Sequence, residues 1–101
     1  MLKHKKRIQH RFVETIPTTL QQGVLYVSLN HNMVSHLCAC GCGQRIDTPL
    51  ARDEWQLIYN GEGVSLYPSI GNWDLSCRSH YFINNSMVAP VPKRKKRFWL
   101  F

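Results

Sequence analysis

Negative charge is scarce in this chain of 101 residues: six Asp and Glu stand against thirteen Lys and Arg, for a formal net charge of +7. Long apolar runs are missing as well. No stretch approaches the ~18–20 apolar residues of a membrane-spanning helix, which excludes that class of membrane protein. The start, Met1-Leu2-Lys3-His4-Lys5-Lys6-Arg7, is basic but has no apolar run of the secretory kind, so a cytoplasmic, reducing location is the expectation. Helical periodicity is also lacking. Leu20 to Leu29 imitates it, but the β-branched content of that stretch argues for strand. The chain shows no internal repeat. Its length suits one domain, and a domain this small buries a modest core and commonly needs a metal or disulfide staple.

The positive charge that is present is unevenly placed. Lys3, Lys5, Lys6, Arg7 and Arg11 lie in residues 1–11, and Lys93, Arg94, Lys95, Lys96 and Arg97 lie in residues 93–101. Between them only Arg45, Arg52 and Arg78 face all six acidic residues, so the body is mildly acidic. The chain divides into a basic N-terminal extension (1–11) that can begin the first strand, a β domain (8–92) that holds all four cysteines and is expected to bind zinc through them, and a basic, aromatic C-terminal tail (93–101).

The body reads as short strands broken by turns. Ile8 to Glu14 alternates weakly and stops at Pro17. Gly23 to Leu29 reads as a buried strand and Met33 to Leu37 as another. Ile46 to Leu50 leads into Trp55–Tyr59, and with Val64–Tyr67 this makes a hairpin across Asn60-Gly61-Glu62-Gly63. Pro68 to Trp73 reads as irregular. Tyr81–Ile83 and Met87–Ala89 form a second hairpin across Asn84-Asn85-Ser86. The large aromatics Trp55 and Trp73 are expected in the core. The fold class is a small, mostly antiparallel β domain, and its four clustered cysteines make one stapling zinc knuckle the expectation.

All four cysteines fall in two short clusters, His36-Leu37-Cys38-Ala39-Cys40-Gly41-Cys42-Gly43 and Cys77-Arg78-Ser79-His80. Thiolates and imidazoles at this density are what a tetrahedral zinc ion requires, and in a reducing compartment metal ligation is favoured over disulfides. On a straight strand Cys38 and Cys42 would stand about 13 Å apart, too far to share an ion. Gly41 and Gly43 relieve this, because glycine takes the positive φ angles that curl a chain into a knuckle. Two ligand sets compete. One is Cys38, Cys40, Cys42 and Cys77; the other combines two of the first three with Cys77 and His80. The first is preferred, since it leaves no idle thiol. Four protein ligands close a site and make the metal structural. Asp47 and Asp74 are the nearest carboxylates in sequence.

The run from Val24 to Val88 resembles a small bacterial family found beside ubiquitin-like conjugation genes. The resemblance rests on Gly23-Val24-Leu25-Tyr26, the Cys38–Gly43 segment with His36, Thr48-Pro49-Leu50, Trp55, Val64 to Trp73, and Cys77-Arg78-Ser79-His80-Tyr81. The basic run Lys93 to Arg97 lies outside it. What the resemblance implies is a setting beside activating-enzyme-like, conjugating-enzyme-like and ubiquitin-like proteins. Such systems need a peptidase to trim the modifier's tail or release it from targets, and a ubiquitin-like protein and its conjugation enzymes become the expected partners.

Serine peptidase chemistry needs a hydroxyl nucleophile and a histidine base. Among Ser35, Ser65, Ser69, Ser76 and Ser79, Ser69 is the best placed, in Pro68-Ser69-Ile70-Gly71-Asn72, where proline is expected to end the strand and glycine to allow a tight turn. His80 or His36 would be the base. The plainer alternative is a serine that caps a turn and histidines that are structural or bind zinc. Two rival functions remain at this level. A non-catalytic adaptor would dock a ubiquitin-like protein, and a nucleic-acid binder would act through the basic termini, which are more commonly solvated tails.

Overall fold

The structure, a computed structural model, describes residues 4–71 and 80–91. Nine strands are present among them and no helix: β1 (Lys6–Arg7), β2 (Gln9–Phe12), β3 (Val24–Ser28), β4 (Met33–Leu37), β5 (Arg45–Pro49), β6 (Gln56–Tyr59), β7 (Val64–Gly71), β8 (His80–Asn84) and β9 (Met87–Pro90). They form a five-stranded sheet in the order β1-β9-β8-β7-β6 and a four-stranded sheet in the order β2-β3-β4-β5. Every pairing is antiparallel except β2 with β3, which run parallel.

The sheets are sewn together at Ile8. Its N–H donates to Ser86 O at 2.9 Å in the first sheet, and the next N–H, of Gln9, donates to Gly23 O at 2.9 Å in the second. One residue thus carries the chain from sheet to sheet, and its buried side chain sits in the core between them. The basic N-terminal segment is structural in part. Lys6 Nζ donates to Ala39 O at 3.1 Å, and the Arg11 guanidinium lies 5.7 Å from the centre of the Tyr26 ring.

The inter-sheet core takes Leu25, Val27 and Val34 from one sheet, Cys38 and Ala39 from the loop after β4, and Val64, Leu66, Ile70, Tyr81, Ile83 and Val88 from the other sheet. Strand β3 is buried along its whole length, as its continuous apolar run predicts. Leu25 and Val27 face the inter-sheet core, while Val24 and Tyr26 face the opposite side. There Leu20, Val13 and Ile16 of the connection between β2 and β3 cover them. Trp55 is half-buried and packs on the inter-sheet core as expected, and Trp73 lies outside the described residues.

Both predicted hairpins form, β6–β7 and β8–β9. The stretch from Pro68 does not break off as irregular chain: β7 runs on through Pro68 and Ser69 to Gly71. A change of register accommodates the proline. Between the pairs Leu66↔Ile83 and Ile70↔Tyr81, β7 has Tyr67, Pro68 and Ser69 where β8 has only Phe82. A bulge is one of the few places in a sheet where proline, lacking an N–H, is tolerated.

Candidate active site

That bulge sets the geometry of the site. Burial alternates along β8, with Tyr81 and Ile83 in the core and His80, Phe82 and Asn84 on the outer face. After the bulge, Gly71 stands opposite His80, and Ser69, two residues earlier, becomes the diagonal neighbour on the same outer face. Directly opposed side chains would crowd a ring. Diagonal neighbours, about 7–8 Å apart, suit the reach of an imidazole's far nitrogen plus one hydrogen bond. Ser69 Oγ lies 2.8 Å from His80 Nε2. The backbone of His80 is pinned as well, its carbonyl accepting from Val91 N at 3.0 Å.

The second candidate histidine is engaged elsewhere. His36 is fully buried on β4, and its Nε2 lies 2.7 Å from the Tyr81 hydroxyl. Burial lowers its pKa to about 4, only partly offset by the Asp47 carboxylate, so the ring is neutral near pH 7. Its Nδ1 has no partner among the described residues. The structure therefore brings Ser69 to His80 and His36 to Tyr81. Two of the other candidate serines have partners of their own. Ser35 donates to Asp47, and Ser65 donates to Asn84 Oδ1 at 3.0 Å. Asp47 is held by Ser35 and Arg45. Ser76, Ser79 and Asp74 lie outside the described residues.

The first cysteine cluster folds as its glycines predict. Gly41 and Gly43 have φ of +91° and +85°, and Gly41 N donates to Cys38 O at 3.0 Å to close the turn. Cys38, Cys40 and Cys42 then bring their sulfurs within 4.8 Å of one another, a spacing that could hold a metal ion. Sulfurs about 3.8 Å apart are what Zn–S bonds of ~2.3 Å in a tetrahedron demand, and the Cys38–Cys40 separation is 3.5 Å. His80 is not part of that group, and Cys77 lies outside the described residues.

Three side chains that sequence reasoning missed hold this loop. Lys6 and Gln22 donate to the carbonyls of Ala39 and Cys38, at 3.1 and 2.9 Å. Tyr81 accepts from Ala39 N at 3.3 Å. Tyr81 directly follows His80, so one strand carries both the outward imidazole and the inward hydroxyl that reaches the cysteine loop. The only sequence signal for this was the period of two on β8.

A family model described as "Bacterial ubiquitination-like system serine protease (BubE)" matches residues 12–91. No curated protein and no solved structure matches the chain significantly. With most of its length matched, and with a serine hydroxyl set against an imidazole on the outer face of its larger sheet, the chain belongs to the BubE family of serine proteases of bacterial ubiquitination-like systems.

Proposed function

We propose that Ser69 is the nucleophile and His80 the general base of a peptidase that trims or releases a ubiquitin-like modifier. The observation that carries this is the 2.8 Å contact between Ser69 Oγ and His80 Nε2. With the proton of the imidazole on Nδ1, Nε2 accepts from the serine hydroxyl. It takes that proton as Oγ attacks the carbonyl carbon of the scissile amide. The resulting imidazolium returns the proton to the leaving nitrogen as the C–N bond breaks, leaving an acyl ester on Ser69. Water, deprotonated by the same imidazole, then releases the acid and regenerates the hydroxyl. His36, neutral and turned to Tyr81, serves the fold in this scheme.

Cys38, Cys40 and Cys42, with Cys77 as the fourth ligand, are the residues that would hold Zn²⁺. Four thiolates would leave the ion no open position, so what it supplies is cross-linking of the Cys38–Cys42 loop to the segment preceding His80. A reducing cytoplasm would keep these thiols available. No helix of the described residues is long and apolar enough to cross a membrane.

A fluorophosphonate probe with peptide mapping tests the assignment. Zinc-loaded protein is expected to carry the adduct on Ser69. Ser69→Ala and His80→Ala should abolish it while retaining one equivalent of zinc. A precursor of the ubiquitin-like protein with a C-terminal extension should be cleaved by the wild type alone. An unlabelled wild type, or zinc lost from His80→Ala, would overturn the assignment.

A further inference from the structure

The outer face of the larger sheet carries more than the Ser69–His80 pair. Going along β7 and β8, this face carries Ser65 bonded to Asn84, then Tyr67 on β7 and Phe82 on β8, then Ser69 in diagonal contact with His80. The first is a polar pair closed by its own hydrogen bond. The middle of the face is different: Phe82 is 44 % and Tyr67 45 % exposed, and each stands two residues along its strand from one of the reacting groups, His80 and Ser69. Large aromatics left this open on a sheet face lose hydration free energy that burial would recover, roughly 25 cal/mol per Å² of apolar surface covered. Both are fixed by their own strands, and β8 itself imposes the order His80, Phe82 on one face.

We propose that Tyr67 and Phe82 form the substrate-side pocket of this peptidase, taking an apolar side chain of an extended peptide within two residues of the scissile bond. The inference rests on Ser69 and His80 being the reacting pair. The register supplies its geometry. Same-face residues of a strand, such as His80 and Phe82 on β8, are two residues apart, about 7 Å, which is also the spacing of same-side side chains along an extended peptide. A chain whose carbonyl sits at Ser69 Oγ and which runs along the strands therefore places a side chain of its own over Tyr67 or Phe82. The occupant is an extended apolar peptide segment: no charged residue stands on β7 or on β8 beyond His80 to favour an acidic or basic one. Beyond the aromatic pair, Ser65 and Asn84 satisfy each other, which bounds the apolar patch on that side.

Internally quenched heptaalanine peptides, each with one alanine replaced by Leu, Phe, Ser or Asp, provide the probe, with cleavage sites mapped by mass spectrometry. Leu or Phe within two residues of the cleaved bond is expected to raise kcat/KM about tenfold over Ser or Asp at the same place. Phe82→Ser and Tyr67→Ser should bring that ratio to within about twofold, with the rate of fluorophosphonate labelling of Ser69 and the melting temperature unchanged, and Phe82→Leu should restore it. A wild type without preference, a preference that survives both serine variants, or labelling without cleavage of any peptide would overturn the pocket alone. A wild type with neither labelling nor cleavage would overturn the Ser69–His80 assignment and the pocket with it.

Discussion

The hydroxyl of Tyr81 lies 2.7 Å from Nε2 of His36, spanning the core from one sheet to the other. The same oxygen accepts from Ala39 N at 3.3 Å, inside the cysteine loop. A single buried oxygen thus joins β4, β8 and the candidate metal loop, one residue away from His80.

Removing that oxygen should be costly beyond its size. Tyr81→Phe keeps the ring in the core but leaves the Ala39 amide and His36 Nε2 without this partner. An unsatisfied buried polar group costs about 1–3 kcal/mol, so urea unfolding should show a loss of about that magnitude. Tyr81 would act on the site as a positioning residue, through β8. Its loss should therefore slow Ser69 labelling at temperatures where Tyr81→Phe is still folded, and weaken zinc retention against a chelator. Unchanged stability and zinc retention would argue that the loop is held by Lys6 and Gln22 alone.

The glycines give a sharper local test. Nothing lies within 4 Å of a Cβ built on Gly41, so a substitution there meets only the backbone cost of φ +91°. Gly41→Ala should lose about 1–2 kcal/mol, and Gly41→Asn less, because Asn tolerates the left-handed region. Gly63 is the reverse case. Its φ is ordinary, but a Cβ would stand 2.7 Å from Asn85 Oδ1 and 2.9 Å from Ser86 Oγ. Those atoms are committed, since Asn85 Oδ1 accepts from Asn60 Nδ2 and Ser86 Oγ accepts from Val64 N. Gly63→Ala and Gly63→Asn should both lose about 1–3 kcal/mol by overpacking. Chemical denaturation of the four variants checks both rankings.

Much of this was legible in the chain because the physics is local. The hairpins follow from glycine- and asparagine-rich turns, and the convergence of Cys38, Cys40 and Cys42 follows from two glycines that must take positive φ. The burial of β3 follows from its unbroken apolar run. What was not legible depends on long-range pairing. Pro68 looked like the end of a strand, because its cost to a ladder is local while the bulge that absorbs it is set by β8. The passage of the chain between sheets at Ile8 and the parallel pairing of β2 with β3 leave no trace in composition. Ser69 reads from the sequence as a turn serine, with His80 and His36 both open as neighbours, and is a strand serine; its hydroxyl lies against His80 while Gly71, not Ser69, stands opposite the ring.

Metal removal should separate scaffold from chemistry. Cys38 is buried and Cys42 exposed, so the three thiols differ greatly in what their loss does to packing. If they share one ion, Cys38→Ser, Cys40→Ser and Cys42→Ser should each bring bound zinc well below one equivalent, even though Cys42→Ser disturbs no core contact. Chelation of the wild type should lower stability by several kcal/mol, since binding free energy at such sites is folding free energy. Full zinc occupancy in Cys42→Ser would remove that residue from the ligand set.

The register opposite His80 yields a variant in which stability and chemistry should part company. Gly71 holds the cross-strand place facing His80 and has no side chain to compete with the ring. Glycine is also a poor strand residue, and a β-branched side chain should favour the strand by up to ~1 kcal/mol. Gly71→Val therefore should not destabilise the fold. On the same face, though, a valine's methyl groups would occupy the room the imidazole needs to lean towards Ser69. Fluorophosphonate labelling of Ser69 should fall by about tenfold or more, the equivalent of about 1.4 kcal/mol in the barrier, while the urea midpoint holds or rises. A labelling rate equal to that of the wild type would show that His80 reaches Ser69 without the space Gly71 leaves, and the activation proposed for Ser69 would then not depend on the diagonal geometry.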